Sequence, residues 1–141
     1  MKIKVASTQK DIFNCVRIRL NVFVKEQNVD ALLEQDEMDD GAIHYIVYDD
    51  KGKGIGTCRL LEEENVVHLG RLAILKEARG LHRGQELLLE VEKNPLVKAK
   101  GKICLHAQFH AKGFYEKCGY RPVGDIFYEA GIAHVMMEKK I

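Results

Sequence analysis

The sequence of 141 residues contains no apolar run approaching the roughly 20 residues needed to span a bilayer. It also lacks any long block of one charge: 22 Lys and Arg face 21 Asp and Glu, for a net charge of +1. A general nucleic-acid or membrane-surface binder would carry a strongly basic face, so both classes are excluded as expectations. The four cysteines, Cys15, Cys58, Cys104 and Cys118, form no C-x-x-C pair. In a chain long enough to bury a real core they read as reduced, mostly buried thiols, and no disulfide is needed. No internal repeat or low-complexity segment occurs, and MKIKVASTQKD has no secretory h-region. A cytoplasmic domain spanning 1–141 is what remains, with 46% hydrophobic and 30% charged residues.

Taken in order, residues 2–6 alternate as an edge strand. Thr8 with Asp11 three residues on predicts a helix start, and Ile12, Val16, Ile18, Leu20 and Phe23 carry the helix to about Phe23. The next segment, VFVKEQNVDALLEQDEMDDG, reads as irregular and acidic. Its Glu34, Asp36, Glu37, Asp39 and Asp40 are expected to be mostly solvated, or else to wall a site that attracts a cationic amine. Residues 42–48 and 55–61 read as a hairpin around DDKGKG.

The most informative stretch is VVHLGRLAILKEARGLHRGQELLL, residues 66–89. Its first half is apolar on both faces, as a buried strand should be. Its second half spaces Leu81, Leu87, Leu88 and Val91 as one helix face, predicted over about 81–92. The turn between them carries glycines and two arginines, so backbone N–H groups and a helix N-terminus meet where a phosphate could be held. Asn94-Pro95 should break the helix, leaving 96–100 as a last turn stopped by Gly101. A strand at 103–106, a small helix through Lys117 and a hairpin of 120–128 with 132–139 complete the chain. The predicted fold is α/β (α+β): a mixed, mostly antiparallel, six- to seven-stranded sheet, about four helices and one crossover helix in the second half.

With VFVKEQNV, RLAILKEARGLHRG, LHAQ, GFYEKCGY and EAGIAHVMMEK in that order, the sequence resembles the GNAT N-acetyltransferase superfamily, and more narrowly its ElaA/YjcF-like branch. The resemblance covers nearly the whole chain. It implies acetyl transfer from acetyl-CoA, as co-substrate, to a primary amine on a small molecule or peptide, within a ternary complex and without a metal. It further implies that Arg79, Gly80, Leu81, His82, Arg83 and Gly84 hold the pyrophosphate. Leu72, Ala73 and Ile74, on a strand splayed from its neighbour, would pair with the pantetheine arm, an oxyanion-stabilising N–H lying near Ala73. Gln108 and Phe114 join the cofactor set, and Tyr115 resembles the tyrosine that protonates the departing thiolate.

Two positions depart from the family pattern: His82 stands where a glycine is usual, and Gly70 where a glutamate often serves as base. The base is therefore sought in His106, at the end of a strand, with Glu26 and His134 as alternatives. Glu26, Asp39 and His134 are the candidate acceptor contacts. His106, His110 and Cys104 make no metal set, because no fourth ligand has suitable spacing. His44 and His68 read as sheet histidines, and Phe13, Phe23 and Phe114 as core. A non-catalytic CoA- or nucleotide-binding module is the alternative function, and the terminal hairpin offers a possible homodimer contact.

Overall fold

A computed structural model describes residues 1–34 and 36–141. Among these residues seven strands form one sheet in the order β1-β2-β3-β4-β5-β7-β6. They are β1 Lys2–Val5, β2 Ile43–Tyr48, β3 Gly54–Glu62, β4 Val67–Ile74, β5 Lys102–Gln108, β6 Arg121–Glu129 and β7 Ile132–Lys140. Every pairing is antiparallel except β4 with β5, whose parallel register covers only Val67↔Ile103, His68↔Cys104 and Leu69↔Leu105. Beyond Leu69 the two strands part.

Helix α1, Gln9–Arg19, begins with a full capping box: Thr8 accepts from the Asp11 N–H, and the Asp11 carboxylate accepts from the Thr8 N–H. Such a cap contributes about 1 kcal/mol. The predicted helix does not simply continue to Phe23; at Leu20 it widens into a π-helix, Leu20–Glu26. The expected irregular acidic segment contains a turn of helix, α2 Ala31–Glu34, and a 3-10 turn, Glu37–Gly41. Helix α1 packs on one face of the sheet through Cys15 and Ile18, which meet Ile46, Ala73 and Leu75, with Val22 of the π-helix beside them. Ile12 and Phe13, read as helix-core positions, instead face solvent, Phe13 at 66% exposure.

The crossover from β4 to β5 supplies the other face. Helix α3, Arg83–Glu92, buries Leu87, Leu88 and Val91. Leu81 precedes the helix and stays exposed, so the helix begins two residues later than expected and its buried face starts at Leu87. Asn94 then caps a separate helix, α4 Pro95–Lys100, by accepting from the Leu96 N–H at 2.9 Å. Proline is favoured at this first position because its missing N–H had no helical partner to lose. Gly101 stops α4 in the left-handed conformation. Helix α5, Lys112–Lys117, follows β5 and buries Tyr115. No helix among the described residues is long and apolar enough to cross a membrane.

Candidate active site

The parting of β4 and β5 has a local cause. Thr57↔Ala73 and Arg59↔Gly70 pair across β3 and β4, so β4 holds one residue more than its partner. Arg71 takes that excess in a left-handed conformation, φ 53°. A bulge of this kind bends the strand and breaks its ladder. The result is a cavity of about 1190 Å³ between the strand ends, the π-helix, the turn before α3, α5 and the β6–β7 hairpin.

One half of the cavity is built from backbone. Leu75 N–H donates to Ile55 O at 2.9 Å, which by antiparallel alternation makes Thr57/Ala73 a hydrogen-bonded pair as well. Ala73 therefore turns its N–H toward β3, although it borders the cavity. Ile74 and, past the bulge, Leu72 turn theirs to the open edge, and Ile74 O accepts from Arg79 Nε at 2.9 Å. The open-edge N–H near Ala73 thus belongs to its neighbours. The turn that follows has positive φ at Gly80 (82°) and His82 (59°). Histidine is among the few non-glycine residues enriched there, so the backbone conformation can be held without a glycine. His82 is also the N-cap of α3 and makes no side-chain cap bond, so the helix's first N–H groups point outward without a side-chain acceptor. Gly84 lies against Phe114: a Cβ there would meet the ring at 3.2 Å.

Arg79 itself is committed. Its guanidinium grips Glu26 at 2.6 and 2.8 Å, which lowers the Glu26 carboxyl below its ordinary value. This pair ties the π-helix to the turn before α3. Beside it Gln108 and Gln27 exchange amide hydrogen bonds at 2.8 and 3.3 Å, and His110 adds a contact to Gln108 at 2.7 Å. Arg83 lies at the wall, its Nε buried without a hydrogen-bond partner among the described residues. Tyr115 reaches the cavity from α5, and burial raises its phenol pKa, so the O–H stays protonated at any physiological pH.

The other half carries the imidazoles. His106 donates from Nδ1 to Glu129 at 2.5 Å and meets His68 edge-on, with ring centroids 4.7 Å apart. His68 is lowered below the usual histidine value by burial and by His106. His134 lies beyond, its Nδ1 donating to Ile132 O at 2.7 Å. Leu33, Met38, Leu61 and Ile132 add apolar surface. Among the described residues no group of three or more His, Cys, Asp or Glu is arranged to hold a metal ion.

Asp39 falls outside this cavity. Its carboxylate binds Arg19 at 3.0 Å and Arg59 at 2.7 Å; burial pulls its pKa up, but the two arginines hold it below the ordinary value. Glu34, bonded to Arg19 at 2.5 Å, is 2% exposed. Asp36 takes Arg59 at 2.7 Å and Arg71 at 3.3 Å. Three of the five acidic residues read as a solvated loop or a cationic site wall are thus consumed by three arginines. Sequence reading missed Arg19, Arg59, Arg71 and Glu129. The first three carried a signal, since an arginine inside an apolar-patterned stretch must find carboxylates. Glu129 sat in a turn-like triplet and carried none.

The sequence pattern of the family described as "Acetyltransferase (GNAT) domain" matches residues 6–141. The uncharacterized N-acetyltransferase YjcF of Bacillus subtilis (strain 168) is 34% identical, over 99% of each chain. An acyl-CoA N-acyltransferase from Pseudomonas aeruginosa superposes with a TM-score of 0.83 at 27% identity, covering 98% of this chain and 97% of that one. Escherichia coli ElaA has the same fold, with a TM-score of 0.87 at 22% identity, covering 99% and 100%. The split sheet, the uncapped helix N-terminus and this match along nearly its whole length make the chain a member of the GNAT acetyltransferase family, with relatives in the YjcF and ElaA branch.

Proposed function

We propose that the chain transfers the acetyl group of acetyl-CoA to a primary amine by direct attack in a ternary complex. The observation that carries this reading is the open edge of β4 running into the uncapped start of α3. A thioester cofactor has the same two parts, an amide-bearing arm and a diphosphate. The arm would add to β4 as a strand, using the backbone groups of Leu72 and Ile74, one N–H of which would meet the developing oxyanion. The diphosphate would take the N–H groups from Gly80 to Gly84 and the Arg83 guanidinium, and would compete with Glu26 for Arg79. Phe114 and Gln108 would flank the arm.

An alkylamine of pKa about 10 arrives protonated and must lose a proton before it attacks. His106 is the base in this reading, at the point where β4 and β5 part; Glu26 is occupied by Arg79. The free amine forms the C–N bond, the C–S bond breaks, and Tyr115 gives its proton to the leaving sulfur; the attacking nitrogen then loses its second proton, which restores the Tyr115 phenol through solvent and leaves the neutral amide and thiol. His134 and Glu26 line the cavity and would border the acceptor, whereas Asp39 is not part of that lining. A cytoplasmic setting suits four unpaired thiols.

The test is thiol release from acetyl-CoA against a panel of amines, with Tyr115→Phe alongside the parent chain. The variant should lose on the order of 10²-fold in kcat, with little change in KM for acetyl-CoA. An unchanged kcat removes Tyr115 from the mechanism. Thermal stabilisation by CoA without turnover on any amine would favour the non-catalytic binding module instead.

A further inference from the structure

We infer that Glu129, at the end of β6, is the positioning residue that makes His106 a proton acceptor; the inference rests on the acetyl-transfer reading above. Four observations converge on it. His106 lies one residue past the last β4–β5 pair and lines the cavity, while its strand neighbours Leu105 and Ala107 are buried. Its Nδ1 lies 2.5 Å from Glu129 Oε1, and an ionised carboxylate can only accept, so Nδ1 carries the hydrogen. The ring is wedged edge-on between His68 at 4.7 Å and Phe127 at 5.0 Å, which fixes its plane. No described residue bonds its Nε2.

A neutral imidazole has one donor and one acceptor nitrogen. Fixing the hydrogen on Nδ1 therefore leaves the Nε2 lone pair for substrate. In the step, an N–H bond of the substrate ammonium breaks and an Nε2–H bond forms. The resulting imidazolium is stabilised by the adjacent carboxylate, which itself takes no proton, and the proton leaves to solvent through the open side of the cleft. The other groups around the ring hold different partners. His68 faces Glu63 at 3.5 Å and Cys104 at 3.4 Å, and His134 is bonded to Ile132 O. Glu129 is thus the carboxylate bonded to His106, and it comes from the hairpin, not from the strand where the family often places its acid.

The experiment is Glu129→Ala, read in two ways. Nitrogen-15 spectra of the imidazoles at neutral pH, without substrate, should show His106 in the Nδ1–H form in the parent chain and shifted toward Nε2–H in the variant. With acetyl-CoA and a productive amine, kcat should fall on the order of 10- to 100-fold at constant KM for acetyl-CoA. Adding His106→Gln to Glu129→Ala should cost little more than His106→Gln alone. A loss of kcat with an unaltered His106 tautomer would mean that Glu129 only latches the hairpin, and would overturn the inference. So would full activity in Glu129→Ala, or strictly additive losses in the double variant. A parent chain that binds CoA yet turns over no amine overturns the acetyl-transfer reading itself, a result the tautomer measurement cannot mimic.

Discussion

Arg19→Met tests whether the buried ionic knot holds the cavity wall in place. Methionine keeps most of the apolar stem of arginine, so the change removes chiefly the guanidinium. Arg19 is 2% exposed and gives Nε to Glu34 at 2.5 Å, both terminal nitrogens to Asp39 at 3.0 Å, and one to Glu34 O at 3.2 Å. Asp39 would keep Arg59. Glu34 would keep only the longer ion pair to Arg71, whose Nε stands 3.6 Å from Oε1, beyond hydrogen-bonding reach, and its Oε2 has no hydrogen-bond partner among the described residues. Breaking one side of a buried pair costs about 3–5 kcal/mol, because the remaining carboxylate is desolvated and has lost its hydrogen-bonded partner. With an unfolding entropy of about 2.1 cal/mol/K per residue, a chain of 141 residues should lose roughly 10–17 °C in Tm. Circular dichroism melts at pH 7 measure this directly. Adding Glu34→Leu should recover at least half of the loss, because it removes the stranded carboxylate. A drop below about 1 kcal/mol would mean that the pair behaves like a solvated surface contact, and the reasoning fails. A double variant no better than the single one would refute it equally.

The strand-to-helix turn and the pH response give further tests. At position 82 the left-handed backbone should tolerate glycine, so His82→Gly should stay within about 1 kcal/mol of the parent, whereas the β-branched His82→Val should cost about 1–2 kcal/mol more; equal melting of the two variants would deny that φ is the constraint. The signs of the pKa shifts set the pH profile. His68 is held neutral, its folded pKa below the unfolded value near 6.5, so the unfolded chain binds more protons there and stability should begin to fall as pH drops under about 6.5. Asp36 and Asp39 are lowered, so their contribution is complete above about pH 4 and lost as pH falls through their folded values. A Tm profile should show both limbs, and His68→Phe should abolish the first; a limb near 6.5 that survives this change assigns it elsewhere.

What could be read from the sequence was local or periodic. The Thr8–Asp11 box, the Asn94-Pro95 interruption, the Gly101 stop and the hairpins each rest on a few adjacent residues, and all stand in the structure. The π-helix was not legible, because its residues supply the same apolar positions whether the chain winds at 3.6 residues per turn or slightly wider. The acidic segment misled for a different reason. Its carboxylates meet arginines 15 to 35 positions away, on α1, β3 and β4, and only the fold brings those together. The Arg71 bulge is similar: an arginine at positive φ has no sequence signature, yet it opens the strand on which the proposed cofactor contacts depend.

Gly70, the departure that left the base unassigned, acquires a geometric meaning from the same register. Extending the parallel pairing by one step past Leu69↔Leu105 sets Gly70 beside His106, and Gly70 shares a strand face with His68, which touches His106. Among the described residues, a Cβ built on Gly70 would meet only Arg59 Nε, at 3.9 Å, and that atom is buried without a hydrogen-bond partner. The strand has room for an acid it does not carry, and on this reading the proton acceptor has moved one strand across. The exchange should be reversible. In His106→Gln, where kcat is expected to fall by on the order of 10²-fold, Gly70→Glu should return part of it, because the introduced carboxylate would stand beside the vacated imidazole position. Arg59 Nε would hold that carboxylate but also weaken it as a base, so the recovery should be partial and should be lost at lower pH as the carboxyl protonates. If Gly70→Glu restores nothing in a chain whose CoA affinity is intact, the two positions do not serve one proton, and the base must be sought elsewhere along the cleft.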